Sequence, residues 1–182
     1  MWIEELSLEN IRCFESQTIR FGSPNGSYCR WVTFLSENGG GKSTALQSLA
    51  LLLAGPEGAQ VLLPRPLGWL RDEEKVGKIS VRIHQNENDP NKHGTVKIKR
   101  SFGYSYSITG SKPLTVNHRP YSDAAIVPSG QKTLTWLREN AFAAKGKGWF
   151  AVGYGAFRRL TRSSQILVPW SARGVRPSFK LT

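Results

Sequence analysis

Three consecutive glycines followed by lysine, serine and threonine, in Asn38-Gly39-Gly40-Gly41-Lys42-Ser43-Thr44, constrain this chain more than any other stretch. Upstream stands Trp31-Val32-Thr33-Phe34-Leu35, an unbroken apolar and β-branched run whose pattern predicts a strand buried on both faces. Downstream, Leu46, Leu49, Ala50 and Leu53 form one helical stripe. Ala45, Leu51 and Leu52 make the segment from Lys42 to Leu53 apolar nearly all round, which predicts a buried helix. Strand, glycine loop and helix in that order make an anion cradle. The glycines let successive backbone N–H groups point into one cavity. The helix adds the positive end of its dipole. A lysine reaches the β- and γ-phosphates of a nucleotide, and a hydroxyl takes magnesium.

On this reading Gly39, Gly40 and Gly41 supply the backbone, Lys42 the cation and Ser43 the metal-binding hydroxyl, with Thr44 adding a phosphate contact. Glu37 and Asn38 complete the loop and are expected to line the same site. The expected ligand is ATP with magnesium. The common spacing of such loops, G-x-x-x-x-G-K-[ST], asks for glycine at position 36, where this chain has Ser36. The strict motif therefore fails, and the reading rests on the core that makes most phosphate contacts. The competing account is a plain glycine turn before a helix.

The remaining periodicities supply a framework. Ile3 to Ile11 alternates loosely through Leu6 and Leu8 and predicts a strand. Arg12 to Glu15 turns, and Thr18 to Phe21 predicts a second strand. Gly55-Pro56 ends the helix, and the stretch to Asp72, with Pro64 and Pro66, reads as irregular. Ile79, Val81 and Ile83 alternate with polar residues, as do Val96, Ile98 and Arg100, on either side of a polar loop over Asn86–Gly94. Together they predict an antiparallel hairpin extended by Phe102 to Ile108. A helix is expected over Gln131–Phe142 with Leu134 and Leu137 inward, then a short strand over Trp149–Val152.

Length and charge bound the rest. The 182 residues suit one domain or the larger part of one. No apolar run is long enough to span a membrane. Glu4 and Glu5 stand where a signal peptide needs bases, so a cytoplasmic protein is expected. Cys13 and Cys29 read as buried small apolar residues and not as a disulfide or metal pair. The net charge is +12, and it is unevenly placed. After Glu139 there is no acid, whereas Lys145, Lys147, Arg158, Arg159, Arg162, Arg173, Arg176 and Lys180 follow. Such a segment fits a DNA backbone, or else is a solvated tail, or a face that acidic sequence normally covers.

Ile3-x-x-Leu6-x-Leu8-x-Asn10-Ile11-Arg12-x-Phe14, upstream of the glycine loop, resembles the N-terminus of the ABC-type P-loop ATPases of DNA metabolism. That group includes RecF, SMC proteins, the SbcC-type break-repair ATPases and the OLD-like defence ATPases. The resemblance covers residues 1–54 well and 75–110 only as a hairpin pattern. It implies an α/β fold: the N-terminal lobe of an ABC-type ATPase over residues 1–160, with a mixed sheet around one buried helix plus an antiparallel hairpin. Residues 161–182 are then a basic aperiodic tail, expected to be truncated or disordered. In this group the basic residue at the place of Arg12 reaches the nucleotide phosphates; the alternative is a surface arginine after a strand. Ile11 stands where the group has an aromatic residue.

The resemblance also shows what is missing. A loop near Gly153-Tyr154-Gly155-Ala156-Phe157-Arg158-Arg159 should carry a glutamine that senses the γ-phosphate; none stands there, and Arg158 either acts instead or, as the favoured account, is a solvated or DNA-facing arginine. No acid follows the apolar runs Trp149–Val152 or Ile166-Leu167-Val168, so the acidic motif of hydrolysis is absent. Pro128-Ser129-Gly130-Gln131 faintly echoes the signature loop, but a helix N-cap at Ser129 is the ordinary account. His84, His93 and His118 do not fit a switch histidine. Asn91-Lys92-His93-Gly94 lacks the aspartate of a guanine-reading motif. No catalytic residue is assigned. ATP hydrolysis, in DNA repair or phage defence, is expected only with a missing C-terminal lobe or a partner, and the intact protein is expected to be a homodimer or to carry that missing lobe. The rival reading is a basic nucleic-acid-binding module with a vestigial nucleotide site.

Overall fold

A computed structural model describes residues 1–22, 29, 31–85, 101–121, 123–129, 132–142, 149 and 151. Strand β1 (Trp2–Ile11) and β2 (Phe14–Arg20) form a hairpin, followed by helices α1 (Lys42–Leu53) and α2 (Gly55–Leu62). Then come β3 (Gly77–His84), β4 (Ser101–Ile108), the short β5 (Leu114–Val116), β6 (Arg119–Tyr121) and β7 (Ile126–Pro128), and helix α3 (Lys132–Asn140). Five strands make one sheet in the order β2-β1-β3-β4-β7, and β5 and β6 pair separately.

The sheet is amphipathic because its strands alternate. Leu6 and Leu8 of β1 stand opposite Val81 and Ile79 of β3, which in turn face Tyr104 and Tyr106 of β4. All are buried, together with Leu49 and Leu52 of α1 and Leu134 and Leu137 of α3. The intervening Glu9, Lys78, Arg82 and Gly103 are exposed, so one face carries the core and the other meets solvent. Tyr104 donates its hydroxyl hydrogen bond to the Leu52 carbonyl at 2.8 Å and Tyr106 does so at 3.4 Å. These bonds serve a carbonyl of the last turn of α1, where the residue four further on is Pro56 and brings no N–H. Burial holds both phenols above the ordinary tyrosine range.

Several expectations need correction. Every pairing among the described strands is antiparallel, so the sheet is not mixed. Trp31 to Leu35 forms no strand, and Trp31 and Leu35 are 92% and 87% exposed. An apolar β-branched run becomes a strand only against a neighbour that supplies its hydrogen bonds, and none of the described segments does so. The helix from Lys42 is not buried all round: Leu46, Gln47 and Ala50 lie on an exposed flank. The stretch after Gly55 contains α2, because Pro56 sits in the first turn, where its missing N–H costs nothing. The register sets Ile83 opposite Phe102, so the partner of β3 is Ser101–Ile108; Val96, Ile98, Arg100 and the loop over Asn86–Gly94 lie outside the described residues. Trp149 and Ala151 are irregular, with Phe150 and Val152 outside the described residues. Cys13 and Cys29 are free and exposed, not buried.

Candidate phosphate-binding site

Helix α1 begins immediately after the glycines, with Gly41 as its cap residue. Gly39 and Gly41 take φ of +87° and +85°, a left-handed turn that side chains with a Cβ resist. No side chain caps this helix end and no acid sits in its first turn. Its N–H groups and dipole are therefore left for an external anion. Gly40 N–H donates to the Glu37 carbonyl at 3.1 Å, which tightens the loop.

Lys42 folds back into that loop. Its Nζ donates to the Ser36 carbonyl at 2.6 Å, to Ser36 Oγ at 3.1 Å and to the Glu37 carbonyl at 2.9 Å. The residue that breaks the strict motif is thus part of the lysine's seat. A Cβ on Gly40 would come within 2.5 Å of Ser36 Oγ, so Ser36 and Gly40 are fitted to each other. Ser43 and Asn38 are exposed, whereas Thr44 is buried against the protein. Glu37 enters through its backbone carbonyl. Among the described residues no group of three or more His, Cys, Asp or Glu could hold a metal. Magnesium here would depend on Ser43 and on the phosphates it accompanies, as is usual for this ion.

The β1–β2 turn forms one wall. Asn10 and Arg12 have φ of 53° and 47°. Asn10 Nδ2 donates to the carbonyls of Asp72 and Lys75, both at 2.9 Å, and its Oδ1 accepts from Asp72 N–H at 2.8 Å. This clamp fixes the loop that presents Trp69. Arg12 N–H donates to the Trp69 carbonyl at 2.8 Å, and the Arg12 guanidinium lies 4.4 Å above the Trp69 ring. Arg12 NH1 also donates to Gln47 Oε1 at 2.8 Å, one turn beyond Ser43 on α1. Cys13 and Phe14 press on the glycine loop: a Cβ on Gly41 would collide with the Phe14 ring and stand 2.7 Å from Cys13 Sγ.

The fold therefore gathers Arg12, Lys42 and Ser43 along one end and flank of α1. Ser36, Gln47 and Trp69 are neighbours that the sequence reading missed. Gln47 and Trp69 carry no motif and lie far from Arg12 in the chain, so only the fold reveals them. The signature echo also changes character: Ser129 Oγ accepts a hydrogen bond from Ser105 Oγ at 3.0 Å, and α3 starts at Lys132. Ser129 therefore ties β4 to the end of β7 instead of capping the helix. Gly130, Gln131, His93 and all eight bases after Glu139 lie outside the described residues.

A glycine loop at a helix N-terminus, with a lysine seated in it beside an arginine-bearing hairpin, has the geometry of an anion cradle within an α/β module. The AAA domain family model matches residues 5–142, and the chain belongs to that family of nucleotide-binding, ATPase-like modules. The match bears out the resemblance to SbcC-type ATPases. The chain is also similar to Septu protein PtuA of Bacillus mycoides (strain KBAB4), at 31% identity over 83 residues. That similarity covers 45% of this chain and 12% of the relative. No described helix is long and apolar enough to cross a membrane.

Proposed function

We propose that this chain binds ATP with magnesium as the N-terminal lobe, residues 1–160, of an ATPase acting in DNA repair or phage defence. The observation that carries the reading is Lys42 seated at an uncapped helix N-terminus behind Gly39 and Gly41. Backbone N–H groups of Gly39, Gly41 and Lys42 would cradle the phosphates, joined by Gly40 once its N–H leaves the Glu37 carbonyl, with Asn38 and Thr44 flanking them. Lys42 would exchange the Ser36 and Glu37 oxygens for phosphate oxygens. Ser43 would hold the metal, which neutralises phosphate charge when bound. Arg12 would add a second cation from the hairpin wall.

Hydrolysis needs a carboxylate that polarises water, and no acid follows an apolar run late in this chain. That group would come from a further lobe or from a partner. The basic segment after Glu139 supports an additional contact to DNA, with residues 161–182 as its tail.

The test is a thermal shift with ATP and magnesium on the unaltered chain and on Lys42→Ala. At ligand a hundredfold above Kd, binding should stabilise the fold by ~2.7 kcal/mol. Equal shifts in the two proteins would sink the proposal.

A further inference from the structure

We infer that Trp69 is the positioning residue for the Arg12 guanidinium, holding it beside the phosphate site before any ligand arrives. The inference rests on the ATP-binding reading and deepens it. A free arginine has many rotamers, and ordering one on ligand binding subtracts from affinity. Here that ordering is done in advance at three points. The Arg12 backbone N–H is bonded to the Trp69 carbonyl, its guanidinium lies over the Trp69 ring, and NH1 is bonded to Gln47.

The platform itself is rigid. Trp69 is only 4% exposed, and its loop is clamped by the three Asn10 hydrogen bonds. Gln47 sets the direction, since it stands one turn along α1 from Ser43, and residues four apart on a helix are neighbours. The guanidinium thus waits on the flank of the same helix whose N-terminus binds the anion. A guanidinium held over an indole face still has N–H groups beyond the one given to Gln47, set in a fixed fork that matches phosphate oxygens and that an ammonium lacks.

The experiment measures ATP–magnesium affinity for the full chain and six variants: Lys42→Ala, Arg12→Ala, Arg12→Lys, Trp69→Met, Trp69→Phe and the double variant Arg12→Ala with Trp69→Met. A cation–π contact at a half-exposed site corresponds to about a three- to fivefold change in an equilibrium constant. Trp69→Met, which keeps apolar bulk but removes the ring, should weaken binding by about that factor. Trp69→Phe should stay within about twofold of the unaltered chain, because a ring face remains. Arg12→Lys, whose substitution lies on the surface and keeps the charge, should reproduce the loss. In an Arg12→Ala background Trp69→Met should change nothing further. An equal loss from Trp69→Met in both backgrounds, or no loss from either Trp69→Met or Arg12→Lys, overturns the inference while Lys42-dependent binding leaves the nucleotide site standing. If Trp69→Met does not fold, Trp69→Leu takes its place in both the unaltered and the Arg12→Ala backgrounds, with the same expected and overturning results. Binding that is absent, or indifferent to Lys42→Ala, brings down the site reading and this inference with it.

Discussion

Gly39→Ala and Gly41→Ala make a matched pair, because the two glycines share a positive φ and differ in what surrounds them. Each has φ near +85°, so each alanine pays about 1–2 kcal/mol for the left-handed conformation. A Cβ on Gly39 meets nothing within 4 Å, whereas one on Gly41 strikes the Phe14 ring and Cys13 Sγ. Forcing that ring aside adds an overpacking term of about 1–3 kcal/mol. Gly39→Ala should therefore cost about 1–2 kcal/mol and Gly41→Ala about 2–5 kcal/mol. The assay is urea unfolding followed by circular dichroism, comparing midpoints at unchanged slope. Phe14→Ala supplies the second axis of a double-mutant cycle. In its background the penalty of Gly41→Ala should shrink by about 1–3 kcal/mol, while that of Gly39→Ala stays put. Equal costs for the two alanines, with no coupling to Phe14, would refute the claim that the β1–β2 turn packs on the glycine loop.

Asn10→Ala removes three hydrogen bonds and places alanine at positive φ, so it should destabilise the fold by about 2–4 kcal/mol in the same urea assay. Tyr104 and Tyr106 titrate above the ordinary tyrosine value in the fold, so the stability they confer is present below the unfolded value near 10.0 and is lost as pH rises through their folded values. In an alkaline absorbance titration, ionisation of these two of the five tyrosines should coincide with loss of circular dichroism; early ionisation of all five would contradict the packing. Deleting residues 144–182 should weaken DNA binding and flatten its salt dependence by about 0.9 per lost phosphate contact. An unchanged affinity and slope would remove the basic segment from the interface.

The parts of this fold that were legible in the sequence are those whose signal is local. Period-two alternation through Leu6 and Leu8, and through Ile79, Val81 and Ile83, predicts strands because one face of each is buried by its neighbours. The glycines, Lys42 and the helix start were legible because positive φ, cation and helix dipole are all written within a few residues. Pairing partners were harder. Trp31 to Leu35 has strand composition, but composition does not provide a neighbour: the segment pairs with no described strand, and only Phe34 is half-buried, against Phe21. Ser36 looked like a defect in a motif, and its use as a seat for Lys42 emerges only when the chain has turned back on itself. The Arg12–Trp69–Gln47 arrangement joins three distant positions, and no period or motif announces such a contact.

Strand β1 is bonded along both edges, with Glu5 to Glu9 paired to Arg20–Ser16 on one side and Arg82–Lys78 on the other. Amides in such an interior strand exchange their hydrogens with solvent only when the whole domain opens, whereas those of an exposed loop exchange through small local openings. The site is thus built between a slow wall, ending at the Asn10–Phe14 turn, and a fast one over residues 36–42. Ligand occupancy would slow both walls, by up to about a hundredfold at ligand a hundredfold above Kd: β1 because global opening becomes rarer, the loop because bound phosphate occupies its N–H groups. The asymmetry makes deuterium uptake over the glycines a gauge of occupancy, with β1 as an internal clock of global unfolding.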